Sequence, residues 1–315
     1  MFFEQLAERG SQFLGVKYPL IAGAMTWISD VPLVEAVSKS GAFPVLAGGN
    51  MPPDMFEQEV DKCLETVKNP FAVNLITLAP NYRDHYEIVR SKDVPFVVFA
   101  GGIPRKSEIQ RMKQAGKKTM SFAADRSVAE QQIRFGIDAL ILEGSEAGGH
   151  IGHVSLTILL QQVLFNFDQV PIFVGGGLGT GQIVAHLLLM GAAGCQFGTL
   201  FVMTEECNAH PHFKEAFIRA RAKGEITREK ARFEVEGFWI GALQRAVLEG
   251  DVDYGSLMAG QSVGMMHEVK PMRRVIDDLV AGAEAELEKV VGRLSPLLDD
   301  QGKSCRDNEQ GGDSR

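Results

Sequence analysis

PIFVGGGLGTG, residues 171–181, joins a run of apolar residues directly to a cluster of glycines. A continuous apolar run of this length reads as a strand buried on both faces, and such strands belong to parallel sheets. Glycine at its end supplies backbone that turns sharply or lets a ligand approach. The same texture recurs along the chain. Apolar runs also begin near Pro19 (PLIAG), Phe43 (FPVLA), Phe71 (FAVNL), Pro95 (PFVVFA), Lys117 (KKTMSF), Asp138 (DALILE) and Ala193 (AGCQFG). Helix-period segments such as DVPLVEAVSKSG lie between them, as crossovers between parallel strands require.

Eight strand–helix units between about residues 19 and 200 predict an α/β fold of the (β/α)8, or TIM, barrel class. A doubly wound open sheet is the alternative, because strand order is invisible in sequence. The glycines favour the barrel. They cluster where strands end: AGAM (22–25), AGG (47–49 and 100–102), EGSEAGGH (143–150), GGGLGTG (175–181) and GTL (198–200). Barrel enzymes build their sites on that face, and the loops after strands seven and eight commonly bind phosphate through backbone N–H groups. Thr180 and Thr199 would add hydroxyl donors. GGGLGTG lacks the dinucleotide register, having Thr180 where the last glycine would fall, and no Walker lysine follows it.

The expected organisation is a barrel over residues 1–203, a helical and loop region on the substrate side over 204–271, a helix over 272–298, and a disordered tail over 299–315. Thr204 is expected to cap a helix beginning TEECNAHPHF. The last helix places Ile276, Leu279, Val280, Ala283, Leu287, Val290, Val291 and Leu294 on one stripe, which predicts packing against the barrel.

The 315 residues carry a net charge of -8, with 45% hydrophobic and 23% charged residues. No basic block offsets the acidity, which argues against nucleic acid or an anionic membrane as partner. The N-terminus has no charged-then-apolar signal pattern, and no window suggests a spanning helix. Four scattered cysteines without a C-x-x-C pair fit a reducing cytoplasm, the expected location. His85, His186 and His267 sit in ordinary helical or loop contexts, His210 and His212 flank Pro211, and His150 and His153 lack a metal-binding pattern, so no metal is expected. His150 differs by location, on a glycine-rich loop after the sixth strand. From position alone, proton handling near neutral pH and bracing of the loop are both open.

EGSEAGGHIG (143–152), NAHPHFKEA, QFGTLF and GDVDYGSLMAGQSVG together resemble the nitronate monooxygenase (2-nitropropane dioxygenase) family of FMN-dependent barrels. PLIAGAMTWISD, GGNMPP, NPFAVNLITLAP and HVSLTILLQQV are similar in order and spacing to its flavin-dependent enoyl-acyl-carrier-protein reductase branch, over residues 10–296. The resemblance implies FMN. It assigns Gly176, Gly177, Gln196, Phe197, Gly198 and Thr199 to the phosphate end, and Gly23, Ala24 and Met25 to the isoalloxazine ring. Asn74 would bond the polar edge of that ring, Glu143 and Gly148 would stand beside it, and His150 would be the catalytic histidine.

Three departures from the family pattern stand out. Ile103 replaces a polar side chain in AGGIP, KKTMSFAAD lacks the usual valine-rich run, and the stretch over 225–250 is short. The implied reaction is reduction of an enoyl thioester by NADPH or NADH through the flavin. Oxidation of alkyl nitronates with dioxygen is the alternative, and a flavin-free phosphate-binding barrel is the second. The expected partners are a small-molecule or acyl-thioester substrate, an acyl carrier protein as one way of presenting it, and a second copy of the chain in a homodimer.

Overall fold

Eight short strands close on themselves in sequence order, each parallel to its neighbours, with the first paired to the last. They are β1 (Leu20–Ala22), β2 (Phe43–Ala47), β3 (Ala72–Ile76), β4 (Phe96–Ala100), β5 (Lys118–Ala123), β6 (Ala139–Glu143), β7 (Ile172–Gly175) and β8 (Gly194–Phe197). This computed structural model describes residues 1–49, 51–149, 152–220 and 239–310, with 239–240 and 299–310 as backbone alone. The barrel expected from the apolar runs is therefore present, and the open sheet is excluded.

All strands but β2 start one residue inside their run. Pro19, Pro95 and Pro171 explain three of these offsets, because proline brings no N–H to the ladder. Their carbonyls still accept, from Cys195, Lys118 and Leu140 at 3.1, 3.0 and 3.0 Å.

Alternation sends every second side chain into the barrel. Ile21, Phe43, Val45, Ala72, Phe96, Val98, Met120, Ala139, Ile141 and Phe173 form one buried interior cluster. The N-terminal helix α1 (Phe2–Leu14) plugs its floor. Leu14 joins the cluster, and the Phe13 ring lies 5.7 Å from that of Phe96 and 6.1 Å from that of Phe173. Lys118 Nζ donates to the Phe13 carbonyl at 2.7 Å. A Cβ on Gly10 would overlap the carbonyl of Ala193, so glycine is what lets α1 lie against β8.

The outer ring is α2 (Val31–Lys39), α3 (Pro53–Thr66), α4 (Tyr82–Ser91), α5 (Lys106–Gln114), α6 (Arg126–Phe135), α7 (Leu156–Leu159, continued by a π turn over Leu160–Leu164) and α8 (Gly181–Leu189). Asp30 and Asp125 start α2 and α6 as side-chain caps, accepting from Leu33 N at 3.2 Å and Val128 N at 2.9 Å.

The chain then adds α9 (Thr199–Val202), α10 (Pro211–Arg219), a helical stretch from Trp239 to Glu249, a 3-10 turn over Gln261–Met265 and the C-terminal helix Met272–Gln310. Thr204 is not a cap. Its hydroxyl donates to the Phe201 carbonyl at 2.8 Å, and α10 starts seven residues later at Pro211, with His210 Nδ1 accepting from His212 N at 3.2 Å. Proline bars the residue before it from helical geometry and suits the first helical position, so Pro211 sets this boundary.

The C-terminal helix packs against α8 through Met272, Ile276, Leu279, Ala283 and Leu287. The expected stripe ends there, for Val291 and Leu294 are 40% and 50% exposed. The helix itself runs on past Pro296 to Gln310. Glu284, on this helix, accepts the N–H groups of Phe2 and Phe3 at 3.0 and 2.8 Å and so caps α1.

A Cβ on Gly181 would fall on the Leu279 carbonyl and 2.5 Å from Ala283 N, whereas one on Gly292 would meet nothing within 4 Å. Gly181→Val should therefore cost about 1–3 kcal/mol by overpacking the α8 contact. Gly292→Ala should instead stabilise by roughly 0.5–1 kcal/mol, as expected of a glycine in a helix interior. Urea unfolding of the two variants checks both signs.

Candidate functional site

At the C-terminal mouth of the barrel the inward positions belong to Asn74, Glu143, Gly175, Gln196 and Gly23, one layer above the apolar interior. The register sets Glu143 beside Gly175 and Gly175 beside Gln196, and pairs Gln196 with Ile21 on the other side. The Gln196 side chain lies between two glycines. A Cβ on Gly23 would stand 3.0 Å from its amide carbon, and one on Gly175 would stand 3.2 Å from its Cβ.

Asn74 is buried and donates from Nδ2 to the Val98 carbonyl at 3.2 Å, which leaves its amide oxygen without a protein donor among the described residues. Glu143 has neither a hydrogen bond nor an ion pair among the described residues. Burial alone pushes its carboxyl up to about 7.

The turn after β1 is braced from within. Gly23 N donates to the Phe197 carbonyl at 2.9 Å, Ser29 Oγ donates to the Gly23 carbonyl at 3.1 Å, and Met25 N donates to Ser29 Oγ at 3.0 Å. Ala24 packs on the barrel interior, and the Met25 sulfur lies 3.6 Å from where a Cβ on Gly198 would be. In the same turn Trp27 has φ 67°, the one left-handed non-glycine among the described residues. A bulky residue there stores strain, which gathers at functional sites.

Two glycine loops face each other across β7 and β8. Gly176 and Gly177 have φ 97° and 71°, values that favour glycine. The backbone N–H groups of Gly176, Gly177, Gly198 and Thr199 find no acceptor among the described residues. Buried or semi-buried amides seek partners, so four such donors from two loops form an anion cradle. Thr199 Oγ1 accepts from Gly260 N at 2.9 Å and keeps its own proton to donate. Thr180 precedes α8 without a side-chain cap bond.

Phe197 contributes differently from expectation. Its side chain points away from the mouth into the outer core, 5.8 Å from the Phe201 ring, so only its backbone borders the site. Gly148 is closely packed: a Cβ there would press on the Ala259 carbonyl carbon and Gly260 N at 2.6 and 2.7 Å. His150 lies outside the described residues.

Behind the cradle a cavity of about 310 Å³ opens between α8, Met265, Met266 and the C-terminal helix. Its one lysine, Lys270, is already paired with Glu268 at 3.0 Å and Asp278 at 3.2 Å, so the cavity has no net positive charge to attract an anion. His85 is a core residue, stacked on Phe56 at 4.1 Å with Nε2 3.0 Å from the Met51 carbonyl. His186 faces Glu286 at 3.2 Å on the outer surface. No helix of the described residues is long and apolar enough to cross a membrane.

Sequence reasoning missed several features of this site. Glu146 accepts the Leu156 N–H with both carboxylate oxygens, and Gln261 N donates to the Glu146 carbonyl. These contacts join positions far apart in the chain, and no local pattern signals them. Leu78, at 77% exposure, and Ile103, at 45%, stand on the neighbouring loops after β3 and β4. Ile103 is thus on the rim of the mouth and not in its depth.

Comparison with known proteins places these features in context. The profile of the family described as nitronate monooxygenase matches residues 7–232. The (3aS,4S,5R,7aS)-5-hydroxy-7a-methyl-1-oxo-octahydro-1H-indene-4-carboxyl-CoA dehydrogenase of Mycobacterium tuberculosis is 29% identical over 69% of this chain, and the match spans 61% of that protein. A probable nitronate monooxygenase of Staphylococcus aureus is 27% identical over 68% of this chain and 72% of its own length. Among solved structures, FabK from Thermotoga maritima superposes with a TM-score of 0.85 at 31% identity, covering 90% of this chain and 98% of that one. A nitroalkane oxidase from Streptomyces ansochromogenes gives 0.79 at 25% identity, covering 89% of this chain and 99% of its own.

The raised Glu143 carboxyl carries a pH signature. Below its unfolded value of 4.5 the group is protonated in both states and costs nothing. Between 4.5 and about 7 the folded state holds the proton more tightly, so the stability associated with this group falls as pH rises and levels off above that window. Glu143→Gln should leave stability unchanged at pH 4 and raise it at pH 8 by up to about 3 kcal/mol. Equal effects at the two pH values in urea unfolding would show that the carboxyl titrates normally.

Proposed function

The chain belongs to the nitronate monooxygenase family of flavin-dependent oxidoreductases, and we propose that it binds FMN and reduces an enoyl thioester with NADPH or NADH. The cradle of four N–H donors from the loops after β7 and β8 carries this reading. A phosphate monoester fits it chemically, because backbone amides and a threonine hydroxyl all donate, and the neighbouring Glu146 carboxylate is occupied by Leu156 N. Gly176, Gly177, Gly198 and Thr199 would hold that phosphate. Gly23, Ala24 and Met25 would lie against a flat ring beside Gln196, and the free oxygen of Asn74 would accept from a ring N–H. When bound, FMN supplies two-electron transfer between nicotinamide and substrate.

The protein's own residues orient and handle protons. Reduction of the double bond needs a hydride at the β-carbon and a proton at the α-carbon. His150 is assigned the proton, because an imidazole both gives and takes protons. Glu143 sits in the inward layer and titrates near 7, so it donates a hydrogen bond when protonated and accepts when ionised.

The likeness to FabK at 31% identity over 90% of the chain supports the reductase, together with the resemblance of EGSEAGGHIG to the enoyl reductase branch. A second reading, oxidation of alkyl nitronates with dioxygen, is supported by the family profile and by the staphylococcal relatives. In that reaction His150 would hold the anionic nitronate. Presentation of the substrate on an acyl carrier protein, and pairing of two chains, belong to the reductase reading.

An anaerobic spectrum separates the two. The purified protein should be yellow, bleach with NADPH or NADH, and regain colour with an enoyl thioester. Colour that ignores both nucleotides but bleaches with an alkyl nitronate selects the monooxygenase, and absence of colour after adding FMN removes the flavin altogether.

Two variants test the residues. His150→Ala should keep the flavin and lower turnover by roughly 10² to 10⁴, the range for a lost acid–base group. Gly177→Leu should release it, because φ 71° is strained for leucine and its Cβ would stand 3.0 Å from that of Glu146. Normal flavin affinity in that variant would remove Gly177 from the site.

A further inference from the structure

Behind the glycine cradle, three segments distant in sequence are tied together. The loop after β6 runs beside residues 258–261, with Gln261 N donating to the Glu146 carbonyl at 2.8 Å and Gly148 pressed on the backbone of Ala259 and Gly260. Gly260 N donates in turn to Thr199 Oγ1 at 2.9 Å, directly after β8. At the other end, both Glu146 carboxylate oxygens accept the N–H of Leu156, at 3.0 and 3.2 Å, where α7 begins. Ser145 N donates to the Val154 carbonyl at 2.9 Å, a second tie between the end of β6 and the start of α7. Gly177, in the cradle, lies over Glu146, close enough that a Cβ would stand 3.0 Å from that of the glutamate.

We infer that Glu146 is a positioning residue, and that the chain Thr199–Gly260–Gln261–Glu146–Leu156 couples the phosphate end of the site to the start of α7. The inference rests on the FMN reading above. Its mechanism is the two-sided hydrogen bonding of a hydroxyl. When Thr199 donates its proton to a phosphate oxygen, its own oxygen becomes a better acceptor, and the bond from Gly260 N strengthens. Gln261 follows Gly260 directly, so holding Gly260 also holds the donor to the Glu146 carbonyl. The Glu146 carboxylate passes the constraint to Leu156 through a charge-assisted bond at a helix start, where a negative charge is favoured. Residues 144–149 and 152–156 are thereby set in register with the bound phosphate.

Amide hydrogen exchange tests this on the FMN-loaded protein against the same protein at FMN well below saturation. FMN should slow exchange in residues 175–182 and 198–201 and, in the same titration, at Gly260, Gln261 and Leu156 by at least tenfold. In Thr199→Val and in Glu146→Ala the slowing should persist at 175–182 and be lost at Leu156. Glu146→Gln, which keeps an acceptor of the same length, should restore it together with the wild-type visible band of the bound flavin.

Slowing at 175–182 with none at Gly260 and Leu156 in the wild type would overturn the coupling and leave the cofactor site standing. Wild-type behaviour in Glu146→Ala would overturn the role of Glu146. Slowing nowhere would remove the FMN reading, and the coupling with it. The wild-type comparison decides the coupling even where a variant fails to fold.

Discussion

The seam between β1 and β8 is the constraint on which the site depends. Closing a barrel demands that its first and last strands meet, and here they meet at contact distance without room for side chains. A Cβ on Gly194 would overlap the Pro19 carbonyl, and one on Gly10 would overlap the carbonyl of Ala193 from outside. Both glycines lie at the floor, yet they set the register that reaches the mouth. Pairing Leu20 with Cys195 brings Ile21 beside Gln196 and Ala22 beside Phe197, and the Gly23 N–H then finds the Phe197 carbonyl. A shift of one residue in β8 would turn Gln196 outward and Phe197 inward. Gln196 would then leave the space between Gly23 and Gly175, and an aromatic ring would fill the mouth.

Above that seam the chemistry is sorted by alternation. Ile141 points into the apolar interior, so Glu143, two residues on, must point the same way, but at the height where the strands end. Its partner across the ladder is Gly175, no cation bonds it among the described residues, and burial therefore governs its titration. A surface carboxylate at the same place in the sequence would have been ionised and solvated. The barrel thus turns an ordinary glutamate into a group that exchanges its proton near neutral pH, with no partner needed to hold it.

The eight strands were legible because parallel strands buried on both faces must be apolar without interruption, and the glycine clusters marked their upper ends. What followed residue 203 was less so. TEECNAHPHF has acids after a threonine, a good local cap pattern, but Pro211 outweighs it and α10 starts there. The apolar stripe of the last helix continued in sequence past Leu287, while the surface it packs on ends, and Val291 and Leu294 meet solvent. Local pattern fixes that a helix is amphipathic; only the tertiary partner fixes how far the amphipathic face is used. The resemblance placed Gly23, Asn74, Glu143, Gln196 and Thr199 around one mouth, and the fold brings them together. The Phe197 side chain turns to the outer core because a strand residue beside an inward one must face out.

The glycines of EGSEAGGHIG follow a different logic from the one their sequence suggests. A run of glycines after a strand invites the reading that a ligand approaches the backbone. Yet Gly144 is crowded by Glu146 and the start of α7, Gly148 by Ala259 and Gly260, and Gly152 by Ala124. Each of these three is small because another part of the same chain lies against it. Gly149 is the exception, with φ 86° and, among the described residues, only the Met258 sulfur within reach, at 3.8 Å from a Cβ there. Three of the loop's four glycines therefore serve its packing against other parts of the chain. A loop built this way is held by backbone contacts that no side-chain substitution elsewhere can replace, which ties its shape to the segment over 258–261 as closely as to the strand it follows.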